Sequence, residues 1–378
     1  MNTFNRAEAI IDLDRITENV KHLRALAGVD VMAVVKADAY GHGLIPVARA
    51  ALAAGASSLG VALLEEAISL RDAGITAPIL AWLVPPGSDY KSAVDRNIEL
   101  AASSIIALQE ISAVKSAHRP RVHLEVDTGM TRGGFLSEWG KLDAHHVANL
   151  DIVGIFSHFA RADEPEQEQN DLQRSRFKEM VATLESFGFT NIVRHLSNSA
   201  ATLKDDKSRF DLVRTGIAIY GLTPDVNTLG TSTSLGLKAA MSVRAKLHLV
   251  KEVPAHSPVG YGATAMTANA TRLGIVAMGY ADGIPRTAQG AGIFVHGKRA
   301  PIIGRVSMDQ FVVDLGPDSQ AVSGEWVEVF GDGTTGGYTA EDWGAGSGSI
   351  NYEIVTRIGP RVPRIYRSTS RITDEEKV

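Results

Sequence analysis

The segment VMAVVKADAYGHG, residues 31–43, contains the pattern on which the fold prediction rests. Residues 31–35 are apolar and partly β-branched, which is typical of a short strand buried on both faces. The strand should end at Lys36, because Gly41 and Gly43 then interrupt the chain before a helical pattern begins. A lysine at the carboxyl end of a buried strand can be desolvated, which lowers its pKa and suits it to Schiff-base chemistry. The same pattern also fits a lysine whose ammonium group reaches solvent.

Composition limits the class of protein. The chain has 378 residues, enough for two domains with full cores. Its net charge of −5 and lack of a basic cluster argue against nucleic-acid binding, and no apolar run is long enough to span a membrane. The absence of cysteine excludes disulfides, thiolate metal sites and a cysteine nucleophile. Because the first residues also lack a secretory apolar core, we expect a cytoplasmic protein.

Helical and strand patterns alternate from residue 14 to about residue 220. The predicted strands are 31–36, 57–63, 78–84, 98–103, 121–127, 152–158, 192–197 and 212–220. The predicted helices are 14–27, 43–55, 64–74, 90–97, 106–118, 136–149, 167–187 and 198–208. This alternation predicts an α/β fold of the (β/α)8 TIM-barrel type. The alternative is a doubly wound open sheet, but the glycine fingerprint that it requires after the first strand is absent.

In such a barrel the carboxyl ends of the strands meet at one rim, where the chemistry takes place. Several ionisable or polar residues fall at or near these strand ends: Lys36, Glu125, Asp127, His158, Asn198, Ser199 and Arg214. Each alone is better explained by a structural role, but their common position predicts an active site. The histidines show no HExxH-type spacing, so we expect no metal site.

The pattern changes to short β-rich segments near residue 237. MSVRAKLHLVKEV, residues 241–253, alternates apolar and polar residues as a half-buried strand does. Glycine turns separate the following segments, and residues 349–366 predict a helix followed by a final strand. We therefore predict a barrel domain over residues 1–236 and a mostly β C-terminal domain over residues 237–378.

Nine segments of the chain resemble bacterial alanine racemases, in the order in which that family carries them. They are VVKADAYGHG (34–43), DTGMTRGG (127–134), SHFARAD (157–163), HLSNSA (195–200), DLVRTGIAIYG (211–221), VGYGAT (259–264), GYADGIPR (279–286), GRVSMDQ (304–310) and NYEIVTRIGPRVPR (351–364). Because they extend over nearly the whole chain, the resemblance is highly specific. It implies a barrel followed by a β domain, and pyridoxal 5'-phosphate as the cofactor.

The resemblance assigns proton transfer to two residues on opposite faces of the substrate α-carbon. Lys36 would hold the cofactor as a Schiff base and then act as one base, and Tyr261 would be the other. In this family the tyrosine comes from the second subunit of a homodimer, so a monomer should be inactive. A tyrosine is a poor base unless a neighbour lowers its pKa. His158 resembles the histidine that lies against the cofactor ring and contacts that tyrosine.

Arg214 matches the family position that faces the ring nitrogen of the cofactor. Most pyridoxal-phosphate enzymes place an acid there, which keeps the nitrogen protonated and makes the ring a strong electron sink. An arginine does not give up its proton at working pH, so the nitrogen should stay unprotonated. The carbanion is then less delocalised, which favours return of the proton to the α-carbon over transamination.

The remaining matched positions imply contacts to phosphate or substrate. Besides Lys36, His158 and Arg214, the residues implied to bind the cofactor are Tyr40, Asn198, Ser199, Gly216, Ile217 and Tyr352. Arg132 would lie near the cofactor's phenolic oxygen and the substrate carboxylate. Met308 of the partner would give that carboxylate a backbone contact.

Glu125 departs from part of the family pattern. Some members carry a lysine at this position, and its carbamylation creates an anion that fixes the active-site arginine. Because Glu125 already has a carboxylate, we predict that it pairs with Arg132 directly.

The predicted activity is interconversion of L-alanine and D-alanine, with D-alanine feeding peptidoglycan. The closest alternative is a broad-spectrum or serine racemase on the same scaffold, although such relatives are often exported and disulfide-bearing. A barrel-type decarboxylase would require an acid at the ring nitrogen and a cysteine near the site. A cofactor-carrying regulatory barrel would lack the second domain.

Overall fold

The computed structural model describes residues 5–369 and divides into two compact units. The barrel unit comprises Ile16–Ala39 and Leu44–Leu237. The β unit comprises the described parts of Met1–Arg15, Tyr40–Gly43 and Lys238–Val378, and it includes the first strand, β1 (Ala7–Asp12). No helix in residues 5–369 is long and apolar enough to cross a membrane.

Eight parallel strands form the barrel unit. They are β2 (Asp30–Val34), β3 (Ser58–Val61), β4 (Ile79–Ala81), β5 (Glu99–Ala102), β6 (Arg121–Glu125), β7 (Asp151–Phe156), β8 (Val193–His195) and β9 (Leu212–Thr215). Strands β2 to β8 each pair with the next, and β9 pairs with β2. Backbone hydrogen bonds from Asp211 to Arg194 and from Arg214 to Ser197 join the two remaining edges. The predicted barrel is therefore confirmed.

The interior of the barrel is packed with side chains from several strands. One buried apolar cluster collects side chains from five strands, with Trp82 against it: Met32, Leu80, Ala101, Phe156 and Leu212. Each of them is at most 5% exposed. This packed interior makes the barrel a rigid frame for residues at the strand ends.

Nine helices accompany these strands between residues 13 and 204. They are α1 (Leu13–Ala27), α2 (Lys36–Gly41), α3 (Leu44–Ala53), α4 (Leu64–Asp72), α5 (Tyr90–Asp95), α6 (Ile105–Ser112), α7 (Ala144–Val147), α8 (Glu168–Ser186) and α9 (Ser199–Lys204). The helix predicted over 136–149 is wrong. A 3-10 turn at Trp139–Lys141 is followed by α7 alone, because the Asp143 carboxylate accepts backbone hydrogen bonds there and starts a new helix.

Helix α2 was not predicted, and it is left-handed. Residues 37–40 have φ between +52° and +54°, a region that residues with a side chain seldom occupy. Left-handed helical geometry costs roughly 1–2 kcal/mol per residue, so the turn needs bonds from outside. The Glu66 carboxylate provides one, because Oε1 accepts from the Ala37 N–H at 2.5 Å. It also accepts from the N–H groups of Ala62 and Leu63.

The described part of the β unit contains nine further strands. They are β10 (Met241–Val253), β11 (Pro258–Val259), β12 (Ala265–Met266), β13 (Thr271–Val276), β14 (Gly292–Val295), β15 (Lys298–Pro301), β16 (Phe311–Asp314), β17 (Trp326–Phe330) and β18 (Arg364–Arg367). The long strand β10 pairs antiparallel with β1, β13 and β17. The mostly β character predicted for this part of the chain is confirmed.

The first strand corrects the predicted domain boundary. Residues 1–236 were predicted to form the barrel domain, but β1 pairs antiparallel with β10 and parallel with β18. Its Ala7, Ala9 and Ile11 side chains are at most 1% exposed. Alternating apolar residues therefore bury one face of β1 in the sheet of the β unit.

Two helices lie near the end of the β unit, α10 (Ala340–Ser347) and α11 (Asn351–Thr356). The sequence predicted α11 and β18 but missed α10. The Thr339 hydroxyl caps α10 by accepting from the Asp342 N–H, and the Asp342 carboxylate accepts from the Thr339 N–H in return. This reciprocal capping pattern was the available signal.

Candidate active site

Lys36 follows β2 by two residues and is half-buried. Burial lowers the pKa of its ammonium group, and the nearby positive charge of Arg132 lowers it further, whereas the Glu66 carboxylate raises it. A lysine in this setting releases its proton more readily than one in water. It can therefore act as a nucleophile and as a base.

Arg214 lies in β9, is only 5% exposed, and has no carboxylate among its hydrogen-bond partners in the described residues. Nη1 donates to His195 O at 2.7 Å and lies 3.2 Å from His195 Nδ1. Nη2 donates to the carbonyl oxygens of Ser157 and Leu196, at 2.6 and 3.2 Å. Burial lowers the pKa of Arg214 to about 10, so the group stays charged at neutral pH.

The Nε–H of Arg214 is the part of the guanidinium that remains for a ligand. No acceptor in residues 5–369 bonds to it, whereas both terminal nitrogens are bound by carbonyl oxygens and histidine nitrogens. A buried cation without a bonded carboxylate favours an electron-rich ligand.

His158 follows β7 by two residues and lies beside Arg214. Its Nδ1 is 3.3 Å from Arg214 Nη2. Because an arginine can only donate, Nδ1 must carry the lone pair and Nε2 the proton. Burial and the charges of Arg214, Arg132 and Lys36 lower the pKa of His158 to about 3. His158 is therefore a neutral hydrogen-bond donor through Nε2.

Ser199 and Gly216 come together where β8 and β9 end. The Ser199 hydroxyl oxygen accepts from the Gly216 N–H at 2.9 Å and more weakly from the Ala218 N–H. The predicted strand 212–220 is wrong beyond Thr215, because a 3-10 helix begins at Ile217. The Ile217 N–H has no acceptor among the described residues and is oriented by the start of that helix.

Asn198 has a local structural role in this rim. Its side-chain oxygen accepts from the Ala201 N–H at 3.0 Å and caps α9. The cap fixes where α9 begins and hence where Ser199 lies. A direct contact of Asn198 with a cofactor stays a prediction.

The predicted direct pair between Glu125 and Arg132 is wrong. No ion pair joins them in the part of the chain that the structure describes, and Arg132 is exposed. Glu125 instead accepts from the Ser103 hydroxyl at 2.6 Å. Ser103 directly follows β5, so this hydrogen bond directs the Glu125 carboxylate toward the end of that neighbouring strand.

The β unit holds four of the predicted residues. Tyr40 is buried, which raises the pKa of its hydroxyl, and its ring centre is 6.2 Å from that of Tyr352. Tyr261 begins the 3-10 turn Tyr261–Ala263 between β11 and β12, and 71% of it is exposed. Met308 is 52% exposed. Its carbonyl oxygen accepts from the Ala281 N–H at 2.9 Å, which fixes its backbone.

Four residues near this site were not predicted as functional: Glu66, Glu99, His123 and His195. Glu99 is the one ionisable residue of the predicted strand 98–103, whereas His123 lies in the predicted strand 121–127 among other ionisable residues; both are buried. For Glu99 the available signal was a lone ionisable residue within an apolar strand pattern, since such groups are rarely buried without partners.

Taken together, the barrel unit presents Lys36, Arg132, Arg214 and the neutral His158 as neighbours whose charges influence one another. Beside β8 and β9 it also presents a hydroxyl and backbone N–H groups. Such a site can bind an anion, hold a carbonyl compound through an amine, and move a proton.

Comparison with known proteins gives the same family throughout the chain. The sequence pattern described as "Alanine racemase, N-terminal domain" matches residues 11–224, and "Alanine racemase, C-terminal domain" matches residues 240–366. An alanine racemase of Beutenbergia cavernae is 48% identical over 370 residues, which are 95% of this chain and 97% of that protein.

Solved structures agree with this sequence similarity. The crystal structure of alanine racemase from D-cycloserine-producing Streptomyces lavendulae has a TM-score of 0.94 and 46% identity, and the match covers 97% of this chain and 98% of that one. Alanine racemase from Bartonella henselae with covalently bound pyridoxal phosphate has a TM-score of 0.86 and 30% identity, covering 96% of this chain and 99% of that one.

Proposed function

We propose, from the premise that the chain belongs to the alanine racemase family, that it interconverts L- and D-alanine by two-base proton transfer with pyridoxal 5'-phosphate as its cofactor. The observation that carries this proposal is the pairing of two groups in the barrel unit. One is the Lys36 amine with its lowered pKa, and the other is the buried Arg214 with a free Nε–H.

The residues of the barrel unit fit this cofactor. The Lys36 amine can attach an aldehyde covalently, as the bound group in the Bartonella henselae structure is attached to its protein. The Arg214 Nε–H would meet the ring nitrogen, and the Ser199 hydroxyl with the Ile217 N–H would hold the phosphate. The cationic surroundings of Lys36 and Arg132 suit phosphate and carboxylate groups. Tyr40, Tyr352, Gly216 and Asn198 would complete the binding set.

When bound, the cofactor withdraws electrons from the α-carbon of alanine and makes its proton removable. Lys36 then takes or returns the proton at Nζ on one face of that carbon. Its pKa is lowered by burial, so the neutral amine is available as a base at lower pH than for an exposed lysine.

Tyr261 would serve the opposite face through its hydroxyl oxygen, contributed by a second copy of the chain. His158 supports this role, because its neutral ring presents an Nε2–H donor that can stabilise the tyrosinate. Met308 of the second copy would offer its backbone N–H to the substrate carboxylate, and Arg132 its guanidinium. The high exposure of Tyr261 and Met308 supports a role outside their own chain.

Arg214 would limit side reactions. It remains protonated, so it would donate a hydrogen bond to the ring nitrogen without giving up its proton. This arrangement would favour return of the proton to the α-carbon over transamination. We also propose that the product D-alanine feeds peptidoglycan synthesis, that the enzyme acts in the cytoplasm, and that the active form is a homodimer.

The test is to incubate the cofactor-loaded protein with L-alanine in deuterated buffer, following circular dichroism and α-deuteration together. We expect the dichroism to decay to zero while deuterium enters the α-position. Covalent cofactor binding without decay would reject alanine as the substrate, and serine would then be tested.

Dilution of the enzyme tests the dimer, because activity per chain should fall as subunits separate. Constant activity in a protein shown to be monomeric would contradict shared sites.

A further inference from the structure

A chain of four buried side chains runs inside the barrel unit and ends at Arg214. Oε2 of Glu99, at the start of β5, is 3.0 Å from Nε2 of His123 in β6. Nδ1 of His123 is 2.9 Å from Nε2 of His195, the last residue of β8. Nδ1 of His195 is 3.2 Å from Nη1 of Arg214. None of the four is more than 6% exposed.

The chemistry of the end groups fixes the direction of every hydrogen bond. Arg214 can only donate, so Nδ1 of His195 must accept and its proton must sit on Nε2. That proton is donated to Nδ1 of His123, which leaves the His123 proton on Nε2. The ionised Glu99 accepts it. Each of the three hydrogen bonds therefore has only one possible direction. The donors run in order from the Arg214 guanidinium at the rim to the Glu99 carboxylate, which accepts the last bond.

Gly154 in β7 has no side chain, and this leaves room for the central hydrogen bond of the chain, between His123 and His195. Gly154 pairs with His123 in the sheet, and β7 lies between β6 and β8. A β-carbon at Gly154 would lie 2.1 Å from Nδ1 of His123, the atom that meets His195. A glycine inside a strand often marks such a close approach. The His123–His195 bond thus depends on this position having no side chain.

Glu99 is held in its ionised form at the far end. Burial alone would raise the pKa of its carboxyl group, but the hydrogen bonds that His123 and Arg121 donate, together with the positive charge of Arg121, hold the pKa below its usual range. Arg121 donates to Oε1 from Nε and Nη2, at 3.0 and 2.7 Å. Burial and the positive charge of Arg214 hold the pKa of His195 well below its usual range, which agrees with a neutral ring.

We propose that Glu99 and His123 are positioning residues, which hold His195 in its Nε2–H tautomer and thereby fix the guanidinium of Arg214 with its Nε–H directed to the cofactor ring. This inference rests on the proposed function, because it assigns a task to the Arg214–cofactor contact. It adds Glu99, His123 and Gly154 to the residues on which the reaction would depend. All three act through other residues and not by contact with the substrate. These groups are not a metal site, since no cluster of three or more His, Asp or Glu residues in 5–369 is arranged to hold one.

The opposite tautomer of His195 would disrupt its hydrogen bond with Arg214. A proton on Nδ1 of His195 would set two N–H donors against each other 3.2 Å apart. The guanidinium would have to turn away, and its Nε–H with it. Arg214 would still be present but no longer aligned, so proton return to the α-carbon would lose its advantage over transamination.

The first measurement uses the protein without cofactor. Nitrogen-15 NMR of the histidine rings should show Nε2–H tautomers for both His123 and His195, with signals assigned through His123→Asn and His195→Asn. An Nδ1–H tautomer at His195, or a doubly protonated His123 at neutral pH, would overturn the chain. This result does not depend on activity, so it is separate from the test of the proposed function.

The second measurement uses variants loaded with cofactor. Glu99→Leu removes the terminal acceptor, and Gly154→Ala intrudes on the central bond without changing any ionisable group. Each should lower kcat roughly 10-fold with KM within about 2-fold, and should raise pyruvate released per racemisation event. Glu99→Gln should recover most of the loss, because its amide oxygen can still accept from His123.

Asp151→Asn is the matched control. Asp151 is the other partner of Arg121, at 3.4 Å, and is half exposed. Its substitution should leave kcat, pyruvate release and the histidine signals unchanged. Folded Glu99→Leu and Gly154→Ala proteins with altered His195 signals but normal kcat and pyruvate release would overturn the positioning role. Wild-type protein that binds cofactor without racemising alanine would instead overturn the proposed function.

Discussion

The candidate groups of the barrel unit and those of the β unit differ in how they are held. Arg214 makes hydrogen bonds to carbonyl oxygens and histidine nitrogens on three sides, and it is almost fully buried. Tyr261 sits in a short turn with glycines on both sides and is 71% exposed. Arg214 is therefore held in place by residues of its own unit, whereas Tyr261 is exposed to solvent.

This difference indicates that Arg214 is already positioned for a ligand within its own unit, whereas Tyr261 is not. A group fixed by many hydrogen bonds needs little reorganisation when a ligand arrives, which is the condition for strong electrostatic catalysis. An exposed side chain in water has no fixed neighbours to orient it, so its surroundings must reorganise during a reaction. Tyr261 therefore gains a catalytic setting only when something covers it, and the proposed second subunit is that cover.

Lys36→Ala should give the largest effect, because it removes both the attachment point and one base. We expect loss of the covalently bound cofactor and a fall in racemisation of roughly 10⁴-fold or more. The measurements are borohydride trapping followed by mass spectrometry, and the rate of loss of dichroism. Lys21→Ala on α1 is the control, since this exposed lysine should be dispensable. Substantial activity in Lys36→Ala would contradict the assignment of the barrel site.

Tyr261→Phe should have the second-largest effect, and an uneven one. Deuterium exchange into L-alanine should slow by roughly 10²–10⁴-fold, while exchange into D-alanine slows far less because Lys36 serves that face. Exchange from each pure enantiomer in deuterated buffer measures both. Tyr338→Phe, in the same unit, should change neither. Equal loss for both enantiomers would refute the division of labour between the two bases.

The pH dependence of cofactor capture should shift in opposite directions in two barrel variants. Burial lowers the pKa of the Lys36 ammonium group, the positive charge of Arg132 lowers it further, and the negative charge of the Glu66 carboxylate raises it. Only the neutral amine attacks an aldehyde, so Arg132→Gln should move the midpoint of the rate profile to higher pH and Glu66→Gln to lower pH. Stopped-flow absorbance of the apo-protein mixed with pyridoxal 5'-phosphate measures this. Glu65→Gln, at the exposed neighbouring position, should leave it unshifted.

Two shifts in the same direction would show that neither charge acts on Lys36 as the structure indicates. Glu66→Gln also weakens the bond to the Ala37 N–H that supports the left-handed turn. A loss of capture rate at all pH values would reveal that second role, because a charge effect moves the midpoint without lowering the plateau.

Thr339→Ala should have the smallest effect, and it falls on stability alone. The Thr339 hydroxyl caps α10, and loss of such a cap costs about 1 kcal/mol of unfolding free energy. Denaturant unfolding would measure it, with Thr339→Ser as a control that keeps the hydroxyl. We expect unchanged racemisation, because α10 belongs to the frame of the β unit. A large loss of activity without loss of stability would contradict that separation.

Much of the barrel was predictable because buried parallel strands are short apolar runs separated by helices. All eight predicted strands overlap observed ones, from 31–36 with β2 to 212–220 with β9. The failures have local causes. The helix over 136–149 was interrupted by the cap at Asp143, and the last strand ended early at Thr215. The left-handed turn after Lys36 was not predictable, since no propensity favours such geometry in Ala and Tyr.

The amino-acid sequence by itself determined the barrel, the β-rich second part, the family, and candidate residues such as Lys36 and Arg214. Periodicity and motif carry that information, because each depends on neighbours along the chain. Only the tertiary structure decided that β1 joins the β unit, that Glu125 turns to Ser103, and that His123 meets His195 across Gly154. These contacts join residues far apart in the chain, and the direction of their hydrogen bonds follows from which donors and acceptors the fold brings together.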